Sequence, residues 1–112
     1  MSLYAADAVY VSGPGPVRHG IDDIKAHYQK QLAPGFSEFH IDVRTIVVDG
    51  PTVMVERVDR FALGGKTFEI PAVGVFEIDD AGRIKRFSDY FDLQSIRDQF
   101  AAAGFVAGQP QE

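Results

Sequence analysis

Hydrophobic and polar residues alternate over long segments in the second half of the chain, and this period of two is typical of β-strands. The same segments are rich in β-branched and aromatic residues, which strands favour. They predict four long strands, over Phe36–Asp49, Thr52–Leu63, Thr67–Ile78 and Arg83–Phe91. Short turns rich in Gly, Pro and Asp separate these segments, so we expect consecutive strands to pair in antiparallel fashion.

The third of these strands differs from the others because its middle, Ile70–Phe76, is apolar on both faces. That pattern predicts a central strand that is covered on both sides. Pro71 has no N–H to donate to a neighbouring strand, so it predicts a bulge or a bend at this position.

Two other segments carry apolar residues at the three- and four-residue spacing of an α-helix. The first helix is predicted over Gly20–Leu32, with Asp residues in its first turn and a Lys near its end, as the helix dipole favours. The second is predicted over Leu93–Ala103. Asp92 can cap its N-terminus and Gly104 can end it.

Ahead of the first helix, Ala8–Ser12 predicts a brief strand and residues 3–6 predict a helical turn. The order of short strand, helix, four long strands and helix indicates an α+β fold. We expect a strongly curved sheet, mixed or antiparallel, that packs against the helices and encloses a pocket. The 112 residues suffice for one core and not for two, so we predict a single domain over residues 1–112.

Charged residues interrupt two of the apolar strand faces. Arg57 and Asp59 share a face with Val and Phe residues, and Asp89 lies between Phe87 and Phe91 on another face. Charges among core-facing residues are costly unless they are paired, so we expect the guanidinium and both carboxylates to meet in one cavity. Two carboxylates with opposite protonation states there would form an acid–base site.

Composition narrows the classes of function. The formal net charge of −5 argues against nucleic acid or an anionic membrane as a partner. The chain has no Cys, and no pair of His residues has metal-ligand spacing on one element, so we predict no metal site. No apolar run has the length of a membrane span and the N-terminus does not resemble a signal peptide, so we expect a soluble, cytoplasmic protein.

Three segments together resemble limonene-1,2-epoxide hydrolase, a family within the SnoaL-like, NTF2-like superfamily. They are Glu56–Asp59, Val73–Ile78 and Asp89–Leu93. Upstream, Asp7–Pro14 and Gly20–Asp22 fall where that family has its Tyr-x-Asn segment and its second helix, so the similarity covers nearly the whole chain. The resemblance implies an NTF2-like, cone-shaped fold.

The resemblance also implies roles for individual residues. Asp89 would be the general base that takes a proton from water, Asp59 the general acid that protonates the epoxide oxygen, and Arg57 the bridge between them. Tyr10 would help to hold the water. Ser12 stands where the family has an Asn that also binds this water. The implied activity is hydrolysis of a small apolar epoxide to a vicinal diol, without a cofactor.

Family members carry a long first helix across the cone, and this sequence begins about one helix too late to have it. We therefore expect the first family helix to be missing. Family analogy and the apolar residues that so short a chain must leave exposed also lead us to expect a homodimer.

Several alternatives remain open at this stage. Arg57, Asp59 and Asp89 are also compatible with a buried structural ion network that fixes strand register. Tyr10 also suits a core aromatic residue, and Ser12 also suits a turn before Gly13-Pro14. A ketosteroid-isomerase-like isomerase or cyclase, and a non-catalytic domain for small-molecule binding or dimerisation, would share the fold. The pair of acids around one arginine favours hydrolysis over these functions.

Overall fold

Six β-strands and two α-helices make up this computed structural model, which describes residues 3–32 and 35–104. In chain order they are β1 (Tyr4–Ser12), β2 (Arg18–His19), α1 (Gly20–Leu32), β3 (Ser37–Asp49), β4 (Thr52–Leu63), β5 (Lys66–Ile78), β6 (Ile84–Phe91) and α2 (Leu93–Ala102). The strands form one curved sheet in the order β2-β1-β6-β5-β4-β3. The α+β class predicted from the sequence is confirmed.

The sheet is mixed because one pair of neighbouring strands is parallel and the others are antiparallel. Strands β3 to β6 pair in antiparallel fashion, as their short turns predict, whereas β1 lies parallel to β6. Both helices and all four long strands lie within two residues of their predicted bounds. The Asp92 carboxylate caps α2 by accepting hydrogen bonds from the N–H groups of Gln94 and Ser95, at 3.0 and 3.3 Å.

Three local predictions are wrong. Residues 4–6 belong to β1 instead of a helical turn, because Tyr4 pairs with Ile84 at the start of β6. No bulge occurs between β4 and β5 at Pro71, where the register is continuous; pairing of β5 with β6 begins only at the next residue, so one side of the strand is open at this proline. The middle of β5 is covered on one face only, since Pro71 is exposed and Val73 is half-buried.

The sheet has an inner and an outer face, and we call the face that carries Arg57 and Asp89 the inner one. Cross-strand register places Arg57 opposite Ala72 and Asp89 opposite Gly74 on this face. Both helices pack against it. Under α1 the buried core consists of Ala8, Tyr10, Ile24 and Phe87, and under α2 it consists of Leu63, Phe68 and Phe100.

The inner face is uncovered at its β3 edge. Side chains that line β3 beside Arg57 and Asp59 are apolar and 49–65% exposed: Phe39, Ile41, Val43, Ile46 and Val48. An apolar surface therefore leads from solvent to the charged residues. Neither helix in the described ranges is long and apolar enough to cross a membrane.

Candidate active site

Arg57 holds the carboxylates of Asp59 and Asp89 at the same time. Its Nε and Nη2 atoms donate to Asp59 Oδ1 and Oδ2 at 2.9 and 3.1 Å. Its Nη1 and Nη2 atoms donate to Asp89 Oδ1 and Oδ2 at 2.9 and 2.8 Å. Each carboxylate thus receives a two-point ion pair, the arrangement that fixes the geometry of both partners most firmly. The structure brings together the three residues that the sequence singled out.

Strand order explains how residues so far apart in sequence meet. Arg57 and Asp59 are two residues apart on β4 and so share a face, whereas Asp89 lies on β6, with β5 between. The guanidinium reaches Asp89 across Gly74 on β5. A Cβ at this glycine would lie 3.2 Å from Arg57 Nη1 and 2.8 Å from the ring of Phe87. The absence of a side chain at position 74 is therefore what leaves room for the ion pairs.

Burial shifts the pKa values of the charged groups in the site. The side chains of Arg57 and Asp89 are each 11% exposed, and that of Asp59 is 30% exposed. Burial raises the pKa of Asp89; the hydrogen bonds and charge of Arg57 oppose that rise, and the charge of Asp59 adds to it. Burial alone would lower the pKa of Arg57, but the two carboxylates together raise it, so the guanidinium stays charged. Asp89 is the deeper carboxylate and Asp59 the more accessible one.

Tyr10 and Ser12 lie next to Asp89 on the neighbouring strand. Ser12 is the register partner of Asp89 in the parallel pair, and the Gly13 N–H donates to the Asp89 carbonyl at 2.7 Å. Tyr10 is 3% exposed. Burial raises its pKa, a hydrogen bond with Ser12 lowers it, and the charge of Asp89 raises it further. Tyr10 and Ser12 therefore lie on the strand beside Asp89, and their role in binding water stays a prediction.

Sequence reasoning missed two tyrosines that extend this polar group. Tyr28 on α1 packs on Tyr10 with ring centroids 5.5 Å apart, and its hydroxyl lies 3.3 Å from the Tyr4 hydroxyl. Helical spacing makes Tyr28 one of the apolar positions of the predicted first helix, and Tyr4 lies in the segment predicted to be a helical turn. The three phenols meet only through the packing of α1 on β1.

A cavity of about 360 Å³ opens on the outer face of the sheet, opposite the carboxylates. It is lined mainly by outer-face residues: Arg44, Glu56, Val58, Pro71, Val73 and Tyr90. Arg57 and Ala72 also contribute to its lining, whereas Asp59 and Asp89 do not. Among the described residues no group of three or more His, Asp or Glu side chains is arranged to hold a metal ion, and the expectation of a metal-free site stays a prediction.

Comparison with known proteins identifies the family of this chain. A family model for the SnoaL-like domain matches residues 1–87. The chain belongs to the SnoaL-like family. The fold is NTF2-like, as the resemblance implied. The matched range includes Arg57 and Asp59 and ends two residues before Asp89.

Three relatives show the range of proteins that share this fold. Epoxide hydrolase EphG of Mycobacterium tuberculosis is 40% identical over 58 residues, which make up 52% of this chain and 38% of that protein. The chain thus matches about two fifths of that relative's length. The structure of an M. tuberculosis LEH-like epoxide hydrolase superposes with a TM-score of 0.72 and 27% identity, over 90% of this chain and 74% of that one.

The third is a protein of ketosteroid isomerase-like fold from Catenulispora acidiphila DSM 44928, in complex with trimethylamine. It superposes with a TM-score of 0.79 and 24% identity, over 95% of this chain and 80% of that one. That likeness concerns the fold alone. Of these three relatives, the two epoxide hydrolases are the more similar to this chain in sequence.

Proposed function

We propose that this protein hydrolyses a small apolar epoxide to a vicinal diol by one-step acid–base catalysis. The observation that carries the proposal is the double ion pair of Arg57, which holds Asp59 and Asp89 on one face with N–O distances of 2.8–3.1 Å. Opening an epoxide with water needs a base for the water and an acid for the epoxide oxygen. Two carboxylates held side by side supply both.

Asp89 is the proposed general base. It is buried, it lies beside Tyr10 and Ser12 of the neighbouring strand, and its pKa is raised by burial, which makes it a stronger proton acceptor. A water molecule held by these three groups gives one proton to Asp89 while its oxygen attacks an epoxide carbon. The C–O bond to that carbon breaks in the same step, and its electron pair stays on the epoxide oxygen.

Asp59 is the proposed general acid. Its side chain is the more exposed of the two, and it lies directly across from Ile41 on β3, where the apolar surface begins. An epoxide resting on that surface places its oxygen towards Asp59, which donates the proton. After the reaction the proton rests on Asp89 and passes to Asp59 through solvent. Like charges this close favour a single shared proton, as this cycle requires.

The apolar character of the proposed substrate follows from the uncovered β3 edge. Ile41 and Val43 lie opposite Asp59 and Arg57 and are 60% and 49% exposed. Phe39 continues this surface towards Phe61, with ring centroids 6.1 Å apart. A hydrocarbon group that covers these side chains would remove apolar area from water, which favours terpene-like or alkyl epoxides over charged ones.

A second candidate is an isomerase that moves a proton beside a carbonyl group. It is supported by one observation, the burial of Asp89 with a raised pKa next to the Tyr10 hydroxyl, because a base and a phenol donor are the parts such an enzyme uses. Arg57 weighs against it, since four of its N–H···O contacts are given to carboxylates instead of a substrate oxygen.

A panel of cyclic and alkyl epoxides, together with one β,γ-unsaturated ketone, tests the proposal. We expect the wild type to form diols and Asp59→Asn to lower kcat/KM at least ~100-fold, since a positioned acid contributes about 10²–10⁴-fold. Asp42→Asn is the matched control, because Asp42 lies on the outer face of β3 with a 40% exposed side chain and pairs with Arg44. It should hydrolyse epoxides at the wild-type rate.

Three outcomes contradict the proposal. Conversion of the unsaturated ketone without any diol would establish the isomerase instead. Binding of apolar ligands without turnover of any compound would indicate a binding domain. If Asp59→Asn and Asp42→Asn reduce the rate of diol formation equally, Asp59 is not the general acid.

A further inference from the structure

We infer that Tyr28 is a positioning residue, which orients the Tyr10 hydroxyl and, through it, the water that Asp89 activates. The inference rests on the proposed function and extends it from the strands to helix α1. Tyr28 would not touch the substrate. It would set the direction in which the Tyr10 hydroxyl donates its hydrogen bond.

The geometry is a row of three phenols under α1. Tyr10 and Tyr28 pack with ring centroids 5.5 Å apart, and the Tyr28 hydroxyl is 3.3 Å from that of Tyr4. Tyr10 also packs on Phe87, two residues before Asp89, with centroids 5.1 Å apart. With Tyr10 97% buried, its hydroxyl cannot rely on bulk water, and buried polar groups almost always have a partner.

Tyr28 is the hydrogen-bond donor in this row. Each phenol has a single proton to donate, and it can accept as well. Burial, followed by the neighbouring Tyr10 and Tyr4, raises the pKa of Tyr28 far above its ordinary value, so this phenol keeps its proton and acts as a donor. The charge of Asp89 acts on Tyr10 and Tyr4 alike. Burial raises the pKa of Tyr10 and of Tyr4, whereas hydrogen bonds with Tyr28 lower it, which makes Tyr28 the donor to these neighbours. The proton of Tyr10 is then free to point towards the water beside Asp89.

The row of phenols matters for the orientation of the water because position 12 is a serine. The resemblance to the epoxide hydrolase family places an Asn at this position, and an amide side chain offers two protons and a carbonyl oxygen where a serine offers one hydroxyl. With the shorter residue, the orientation of the water depends more on Tyr10, and the orientation of Tyr10 depends on Tyr28.

Other charged and titratable groups surround the row, and they do not replace it. On β4, Arg57 donates hydrogen bonds to the carboxylates of Asp59 and Asp89. Arg18 on β2 pairs with Asp23 at 3.9 Å. Burial, then the charge of Arg18, lowers the pKa of His27 on α1, which keeps the imidazole neutral. The hydroxyls that remain to orient Tyr10 are that of Tyr28, which also contacts Tyr4, and that of Ser12, which forms a hydrogen bond with Tyr10.

The test is Tyr28→Phe, which removes one hydroxyl and keeps the ring. We expect kcat for epoxide hydrolysis to fall about tenfold, with KM unchanged within about twofold. The reason is that the variant loses one oriented hydrogen bond that stabilises the transition state. Removing a donor from the row makes the ionised Asp89 less favourable. The acid limb of the pH profile of kcat should therefore move up by about half a pH unit.

Two controls separate positioning from packing. Tyr90→Phe removes a phenol on the outer face, where Tyr90 is 60% exposed, and should change neither value. In a Tyr10→Phe background, Tyr28→Phe should have no further effect on kcat, because it acts only through Tyr10. An independent tenfold loss in that background, or an unmoved pH profile in Tyr28→Phe alone, overturns the inference.

A readout without turnover distinguishes failure of this inference from failure of the proposed function. The titration of the Asp89 carboxyl, followed by carbon-13 NMR, should move to higher pH in Tyr28→Phe and stay in place in Tyr90→Phe. If the wild type forms no diol but this shift is present, the hydroxyl row stands and the hydrolase proposal falls. If diol forms and the shift is absent, the reverse holds.

Discussion

Asp89→Asn is expected to lower kcat/KM for epoxide hydrolysis by about 10³–10⁴-fold, the upper part of the range for a positioned general base. The amide keeps the size of the side chain and can still accept a hydrogen bond from Arg57, so the strands should remain in register. It cannot take a proton from water near neutral pH. The loss should therefore appear in kcat, with KM changed much less, because the substrate lies on the apolar surface beside Asp59.

Asp92→Asn is the matched control for this change. Asp92 lies three residues further along the chain and caps α2 through the N–H groups of Gln94 and Ser95. Asn caps helices about as well as Asp, so this variant should keep both fold and activity. An Asp89→Asn enzyme that retains a tenth or more of the wild-type kcat/KM would rule out Asp89 as the base.

Arg57→Met is expected to lower the free energy of unfolding by about 3 kcal/mol, at the low end of the cost of leaving a buried charge unpaired, since Asp59 keeps some contact with solvent. The variant leaves two carboxylates beside each other without a counter-charge. Both then favour the protonated form. The folded state thus holds protons more tightly than the unfolded chain, and the destabilisation should grow as pH rises from about 5 to 8.

Urea denaturation of Arg57→Met and Arg60→Met at several pH values measures this effect. Arg60 is the control because it lies three residues along the same strand on the outer face, with a 32% exposed side chain and ion pairs of 3.6 and 3.8 Å. Its loss should cost less than about 1 kcal/mol at every pH. Equal costs for the two variants would show that the inner ion pairs do not stabilise the sheet.

The long elements could be predicted from sequence because their signals are local. Alternation across Thr52–Leu63 and the helical spacing across Gly20–Leu32 depend on side chains a few residues apart, and the structure has both elements with the predicted bounds. The beginning of β1 could not be predicted in this way. Ala5, Ala6 and Asp7 are of types depleted in strands, and Tyr4 becomes part of a strand by pairing with Ile84, eighty positions later.

The same difference between local signals and long-range pairing applies to the residues of the candidate site. Arg57 and Asp59 could be paired from the sequence because residues two apart on a strand share a face. Placing Asp89 beside them requires the register of β4, β5 and β6 and the small residue at Gly74. The cost of unpaired charges and the resemblance predict that they meet, but neither gives this register. Tyr28 could not be found at all, since its hydroxyl becomes part of the site only through the packing of α1 on β1.

Single-turnover hydrolysis in oxygen-18 water, with enzyme in excess over epoxide, tests the central claim that water attacks the epoxide directly between the two carboxylates. The account predicts one oxygen-18 atom in every diol molecule from the first turnover, and none in the Asp59 or Asp89 side chain by mass spectrometry. An unlabelled diol in the first turnover, with label later found in either carboxylate, would mean that an aspartate attacks the epoxide and would contradict the account.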